Sequence, residues 1–478
     1  MILALLACAE PGPVRFVRGG VLRDGTFEAR EWQPGETVDG QVAPRQPECA
    51  PMWSVELEDM DRMAAMGAPP PGAALAFSPD GRLAIGSDAG SLRVLDATGK
   101  TLAQRTIAEG AVKQLAWSQD TLYAGTQSPD AELLALSADT LDTRWHVSLS
   151  GDLVTSALPP GDDVYGLYSL PAVFSLQVLP GGDLLVAGVH GWTADGVRKN
   201  RARLYRFAPD GTQRRAWPAN GPLDGILLRP VVADGVLAFV ARNADGPAPT
   251  DVPVSSLARL DLDLGLTWTR PFSPLEPWFK EAYVWEAVGL SKDLAMVGFG
   301  DGRVFLLGPD GTERAALTPG VPILSQGVPI AASVGFGTVI GDAAYYTTNA
   351  TNIPWGSADP ATRPPSAHPA EHTLHAVGPD GVERWVWHGE QAIEGVVPSP
   401  DGNTLLLAAA ARDSDTRTDL FGALLIDRAT GALVTTCPTE GPAWFRPAWA
   451  ADGRIAVAES AFTVDGQVKG AYRVTVFR

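Results

Sequence analysis

The chain has 478 residues, enough for several ordinary domains or one large repeat array. Hydrophobic residues make up 45% and supply ample core, while 51 glycines and 40 prolines are too many for a helical protein and mark frequent turns. The formal net charge of -18 is spread along the chain, and an acidic surface repels phosphate backbones, so nucleic acid is not an expected partner.

The first eight residues are apolar up to Cys8, and Leu5-Leu6-Ala7-Cys8 resembles a bacterial lipobox, in which cleavage before the cysteine leaves a lipid-anchored N-terminus. The run is short and no Lys or Arg precedes it. Residues 9–52 read as a Pro-rich tether, so contact with a membrane is expected only through the lipid. No later stretch offers about 18 uninterrupted apolar residues, so no transmembrane helix is expected. With Cys8 lipidated, Cys49 and Cys437 remain as one pair, which fits an oxidising compartment. Next, Met60-x-x-Met63-x-x-Met66 resembles the thioether motifs of periplasmic copper proteins, where soft sulfur favours Cu(I). A short helical turn whose Met stripe packs on the body of the protein is the competing reading.

From Ala74 onward one unit recurs: two apolar strands around a tight polar turn, a variable link, a third strand, an Asp- or Gly-containing turn, and a fourth. The clearest copy is ALAFSPDGRLAIGSDAGSLRVLDATGKTLAQRTI, Ala74 to Ile107. In Ser78-Pro79-Asp80-Gly81 the proline presets one turn dihedral and the glycine supplies the positive one. Asp96-Ala97-Thr98-Gly99 joins the last two strands and recurs as Ala208 to Gly211, Gly308 to Gly311, Gly378 to Gly381 and Asp427 to Gly431. Third strands near Val94, Ala135, Tyr205, Leu260, Leu306, Ala376, Leu425 and Val474 give eight units with the spacing of propeller blades. The last unit stops at its third strand, and Trp53-Ser54-Val55-Glu56-Leu57 is available to complete it. The expected fold is therefore all-β, a β-propeller over 53–478 with eight four-stranded blades, closed by a strand from near the N-terminus. That closure places Cys49 and Cys437 on neighbouring blades, where a disulfide would staple the ring.

The repeats resemble the quinoprotein-like and WD-like propeller superfamily from roughly Trp53 to Arg478. The resemblance is carried by Leu95-Asp96-Ala97-Thr98-Gly99-Lys100, by Leu204-Tyr205-Arg206-Phe207 with Trp217, and by His375-Ala376-Val377 with Asp380-Gly381 and Trp385. Periplasmic and outer-membrane lipoproteins of this kind include the propeller subunit of the outer-membrane β-barrel assembly machinery, a non-catalytic scaffold. The resemblance thus implies a bacterial cell-envelope protein that binds other proteins, while the repeats themselves speak for fold rather than function.

Within a blade, links alternate between the two faces. The first-to-second and third-to-fourth turns are uniformly short. The insertions, including Glu58 to Pro71, Gly151 to Pro171, His190 to Ala202, Pro271 to Tyr283 and Asn349 to Glu371, all fall on the opposite face. Binding residues concentrate on loops carried by a rigid scaffold, so this elaborated face is the expected working surface. It carries Tyr165, Tyr168, Trp192, Trp278 with Phe279, Tyr283, Trp285 and Trp355, which either line a binding mouth or pack the loops onto the blades. His368, His372 and His375 have spacings that could gather metal ligands, although Pro369 and a strand assignment for His375 oppose a single helical face. Asp413, Asp415 and Asp419 are similar to a calcium loop, but Arg417 takes a ligand position and the glycine is missing. There is no vicinal cysteine pair of the kind expected over a quinone cofactor, and no Gly-x-Ser-x-Gly, phosphate-loop or His-Glu-x-x-His motif. The leading expectation is a non-catalytic, envelope-anchored scaffold that binds a protein or another macromolecule through this insertion-rich face. The alternatives are copper handling through the Met60 segment, and a calcium- or cofactor-dependent propeller enzyme.

Overall fold

In the computed structural model the described residues are 20–23, 26–29, 41–42, 48–57, 73–154, 170–194, 197–243, 255–279, 281–325, 328–352, 368–410, 421–464 and 467–478. Nearly all of the ordered elements are strands, and they form consecutive antiparallel meanders. Sheet 1 comprises Ala73–Phe77, Leu83–Ser87, Ser91–Leu95 and Thr101–Thr106, hydrogen-bonded in that order. Sheets 2 to 7 repeat the pattern over 111–148, 172–217, 225–271, 286–317, 328–388 and 392–438. In sheet 8, Ala448–Trp449, Ile455–Glu459 and Arg473–Phe477 come from the end of the chain, and Pro51–Glu56 supplies the fourth strand. The register there is antiparallel, with Val474 opposite Val55 and Val476 opposite Trp53.

The core lies between sheets, because each strand must bury both faces against its neighbours. Among the described residues, one apolar cluster spans each pair of consecutive sheets. Ala84, Leu92 and Val94 of sheet 1 meet Val112, Leu122 and Leu136 of sheet 2. The cluster that joins sheet 8 to sheet 1 holds Val474, Val476 and Ala458 against Leu83, Ile85 and Leu95. The series of sheets therefore closes on itself, and the first strand of each sheet lines the axis of the ring.

The third-to-fourth turns show why the sequence repeats as it does. In Asp96–Lys100 the Asp96 carboxylate accepts hydrogen bonds from the backbone N–H groups of Thr98 (2.8 Å) and Lys100 (3.0 Å). Gly99 takes the positive φ of 85° that closes the turn. The same device recurs at Asp210, Asp310 and Asp427, and hydrogen bonds from the following threonine hold these carboxyls below their usual range.

At alternate seams these turns carry a second contact. Trp53, on the fourth strand of sheet 8, covers Gly99 of sheet 1 and donates its indole N–H to Ala97 O at 3.1 Å. Trp145 of sheet 2 covers Gly211 of sheet 3 and donates to Pro209 O at 2.9 Å. Trp268 of sheet 4 does the same at Gly311 and Pro309 O, and Trp385 of sheet 6 at Gly431 and Arg428 O. Only a residue without Cβ lets the indole lie against the turn.

The chain ends are tied covalently. Cys49 and Cys437 form a disulfide with Cα atoms 4.9 Å apart, and the Cys49 N–H donates to Thr436 O at 2.8 Å. The closing strand begins at Pro51, two residues before the expected start. Ahead of it, Gln41–Val42 pairs in parallel with Trp387–His388 on the outer strand of sheet 6, and Glu48 bridges to Thr436 on that of sheet 7. Among the described residues no helix is long and apolar enough to cross a membrane.

Candidate functional site

The two faces of the ring differ as the meander requires. Turns between first and second strands are short, from Gln119–Asp120 to Ser78–Arg82, and each third-to-fourth link has the length of Asp96–Lys100. All long links emerge on the other face. They include the segment between Ser148 and Ala172, which starts with the helical turn Ser150–Leu153, and the one between Asn352 and Thr373. The hairpin of Leu184–Ala194 and Val197–Phe207 also rises there, its strands running on past the level where their neighbours stop.

Among the residues expected to line a binding mouth, Tyr165, Tyr168 and Trp355 lie outside the described residues, as do Cys8, the Met60, Met63 and Met66 segment, and Asp413, Asp415 and Asp419. Trp192 sits half-buried on the raised hairpin, opposite Lys199 and stacked on His190 at 5.2 Å between ring centroids. Trp278 and Phe279 are partly buried and pack onto buried Leu275 and Val321. Tyr283 and Trp285 lead into the first strand of sheet 5, with ring centroids 6.0 Å apart. Trp285 is 46% exposed, one of the few large apolar side chains left open. Burial pushes the Tyr283 hydroxyl well above its usual range, and the charge of Glu286 adds to the effect.

Among the described residues no three His, Cys, Asp or Glu side chains gather as a metal-binding set, those of His368, His372 and His375 included. The reason is local. His368 is buried with Nε2 3.1 Å from Val321 O and Nδ1 accepting the Ala370 N–H at 3.0 Å. His375 lies on strand Thr373–Val377, stacked on Tyr346 at 4.8 Å with Nε2 3.1 Å from Thr348 Oγ1. These contacts pin the returning end of the sheet 6 insertion to the body of the ring.

A constellation that the sequence reading missed lies on the axis. The first strands of several sheets carry β-bulges: the register shifts between Val173 and Ser175, between Leu228 and Val231, and between Ile393 and Val396. A bulge re-aims a side chain, and Phe174 and Arg229 both sit at such shifts. Glu286, at the head of the first strand of sheet 5, receives two arginines. Arg229 Nε stands 2.8 Å from one carboxylate oxygen, off the line of a hydrogen bond, while Arg446 Nε donates to the other at 2.7 Å. Arg446 belongs to the link between sheets 7 and 8, so its side chain reaches past sheet 6 to sheet 5. Its stem rests against Gly395, where the bulged strand of sheet 7 leaves room. The Arg229 guanidinium also lies 6.0 Å from the centroid of the Phe174 ring. Burial alone would raise the Glu286 carboxyl, but the two guanidinium charges outweigh it and hold the group below its usual range. Burial lowers Arg229 in turn.

On the opposite face an open cleft of about 700 Å³ is lined by Asp183, Arg206, Arg214, Arg215 and Asp263. Asp183 holds Arg206 at 2.8 Å and Arg214 at 3.0 Å, and Arg206 continues to Leu262 O and Asp263 of sheet 4. This network ties sheet 3 to sheet 4.

No family model matches the chain, and no curated protein matches it. Solved structures do. The quinohemoprotein alcohol dehydrogenase ADHIIG from Pseudomonas putida HK5 superposes over 92% of this chain and 77% of its own, at 12% identity and a TM-score of 0.59. The C-terminal WD40 domain of Sif2 covers 91% of this chain and 99% of its own, at 11% identity and 0.53. A europium-containing methanol dehydrogenase covers 90% and 93%, at 13% identity and 0.53. Likeness at such identities speaks for architecture alone, and the architecture is that of a β-propeller.

Proposed function

We propose that this propeller is a binding scaffold of the bacterial cell envelope that engages a protein partner through its elaborated face and does no chemistry of its own. The observation that carries this reading is the asymmetry of the links. One face is built of minimal turns, sealed at alternate seams by Trp53, Trp145, Trp268 and Trp385, while every long link rises on the other. Loops on a rigid frame are where recognition concentrates. Trp285, exposed beside Tyr283, supplies the rigid aromatic area that anchors a protein contact. The Cys49–Cys437 disulfide supports an oxidising location such as the periplasm.

The test is site-directed photo-cross-linking in the native host. A photoreactive residue at Trp285 is expected to capture a discrete partner band, whereas one at Asp310, on the turn face, or at Leu102, on the rim, is not. Equal capture from all three positions, or capture from the turn face alone, overturns the assignment of the working surface.

A further inference from the structure

We infer that Arg229 and Arg446 form a receptor for a single carboxylate, an acidic side chain presented by the protein partner at the mouth of the channel. The inference rests on the scaffold reading above and names the chemistry of what the scaffold holds. Two guanidinium groups share one carboxylate, and both reach it through Nε. Each arginine has five N–H donors in a planar fork, so the Glu286 contact leaves most of them uncommitted by that ion pair. The exposures are ordered as a receptor needs. The Glu286 side chain is 14% exposed, whereas Arg229 and Arg446 keep 32% and 37% open to solvent. Among the described residues, Glu286 is the one acidic side chain within ion-pair distance of either arginine, so the group carries a net charge of about +1.

That charge selects the ligand. A carboxylate carries one negative charge and two coplanar acceptor oxygens, which balance the group and match the guanidinium fork. A phosphate dianion would leave the site negative within a chain whose net charge is already -18. The surroundings favour a carboxylate attached to a larger apolar segment. Phe174 lies on one side of Arg229, and Trp285, adjacent to Glu286 in the chain, stands open on the elaborated face.

A purely structural staple across the channel makes a different prediction, and substitution at Glu286 separates the two. The probe is a rhodamine-labelled Gly-Phe-Glu-Phe-Gly peptide followed by fluorescence anisotropy at low salt, with Gly-Phe-Gln-Phe-Gly as its neutral control. The Glu peptide is expected to bind at least about tenfold more tightly than the Gln peptide. Glu286→Gln keeps the side-chain volume and releases both arginines, so it should tighten Glu-peptide binding by about fivefold or more. Arg446→Met and Arg229→Met should each weaken it by about tenfold. Thermal melting of every variant reports folding, and should Arg446→Met not fold, the Glu286→Gln gain carries the test alone. Equal binding of the two peptides, or no gain in Glu286→Gln, overturns the proposal. So does displacement by inorganic phosphate at concentrations where glutarate displaces equally, because the site would then not discriminate a carboxylate. If cross-linking from Trp285 succeeds and the peptide arms fail, the receptor falls and the scaffold reading stands. If cross-linking fails as well, both fall.

Discussion

Alanine at Gly211 and alanine at Gly453 impose nearly the same backbone penalty in very different surroundings. The two glycines have φ of 87° and 88°, and each donates its N–H to the residue three positions earlier, at 3.0 and 3.1 Å. An L-residue in this region costs about 1–2 kcal/mol, and both substitutions incur it. A Cβ at Gly453 meets nothing within 4 Å, whereas a Cβ at Gly211 falls 2.8 Å from Trp145 Cδ2 and 3.0 Å from Cε3. Carbon atoms are comfortable at about 3.5–4.0 Å, so the indole must lift by roughly an ångström. That movement breaks the Trp145–Pro209 hydrogen bond of 2.9 Å, worth about 1 kcal/mol, and overpacking at a fixed site adds about 1–3 kcal/mol. Gly453→Ala should therefore cost about 1–2 kcal/mol, and Gly211→Ala about 3–6 kcal/mol. Chemical denaturation followed by tryptophan fluorescence and by circular dichroism measures both. A double-mutant cycle locates the difference: in a Trp145→Ala background, Gly211→Ala should fall to the cost of Gly453→Ala. Equal losses in the two single variants, or an unchanged Gly211→Ala cost without the indole, would refute the view that the tryptophan seats hold the seams.

Other consequences can be read in the same way. Trp145→Phe keeps a ring over Gly211 but removes the indole donor, and is expected to cost about 1 kcal/mol by denaturation midpoint. Cys437→Ser removes a cross-link between residues 388 apart; chain entropy sets a ceiling of about 6 kcal/mol, and a loss of about 2–5 kcal/mol is expected. Dithiothreitol should reproduce this loss in the wild-type protein and change nothing in the variant. His388 is held below its ordinary pKa by burial, helped by His372 and His375. The folded state therefore keeps it neutral while the unfolded chain takes up a proton below a pH of about 6.5. Its contribution is intact above that pH and lost progressively as the pH falls toward the folded value, so His388→Gln should flatten the decline in stability between about pH 7.5 and 5.5.

What could be read from the sequence was what turn chemistry writes locally. Asp96, Asp210, Asp310 and Asp427 each satisfy backbone N–H groups a few residues on, and the glycine that follows takes the positive φ, so the turns announce themselves. The closing strand was legible because a meander ending on its third strand leaves an edge to be covered, and the disulfide pair followed from that closure. The tryptophan seats were not legible in the same way. Trp145 and Pro209 are partners across a seam and 64 positions of chain, and the one signal was a Trp at matching places on the fourth strands of alternate repeats. For the histidines, spacings of three and four were weighed as ligands on a helix, whereas positive φ at His372 and an extended strand from Thr373 break that periodicity. The axial group was hidden because Arg229 sits at a bulge, outside strand alternation, and Arg446 comes from a link between sheets. Pro230, directly after Arg229 and unable to donate to the ladder, was the available hint.

The axial group ties the closure of the ring to the mouth on the elaborated face. A ring built from meanders needs short, repeated turns on one face, because each turn there must meet its neighbour at a fixed height. Links on the other face are free to lengthen, and loop closure grows more costly only with the logarithm of length. Freedom on one face therefore depends on strictness on the other, and damage to a tryptophan seat should reach the binding face only by loosening the ring as a whole. Arg446 offers a shorter route. It starts in the link that follows Cys437 and ends on the strand that begins beside Trp285, so it joins the closure of the ring to the aromatic edge of the mouth. A partner carboxylate that competes with Glu286 for Arg446 would weaken that join, whereas one that binds the outer donors of both arginines would strengthen it. The sign is measurable as protection from hydrogen exchange at residues 439–447: strengthening protects the link when the Glu peptide is bound, and competition exposes it.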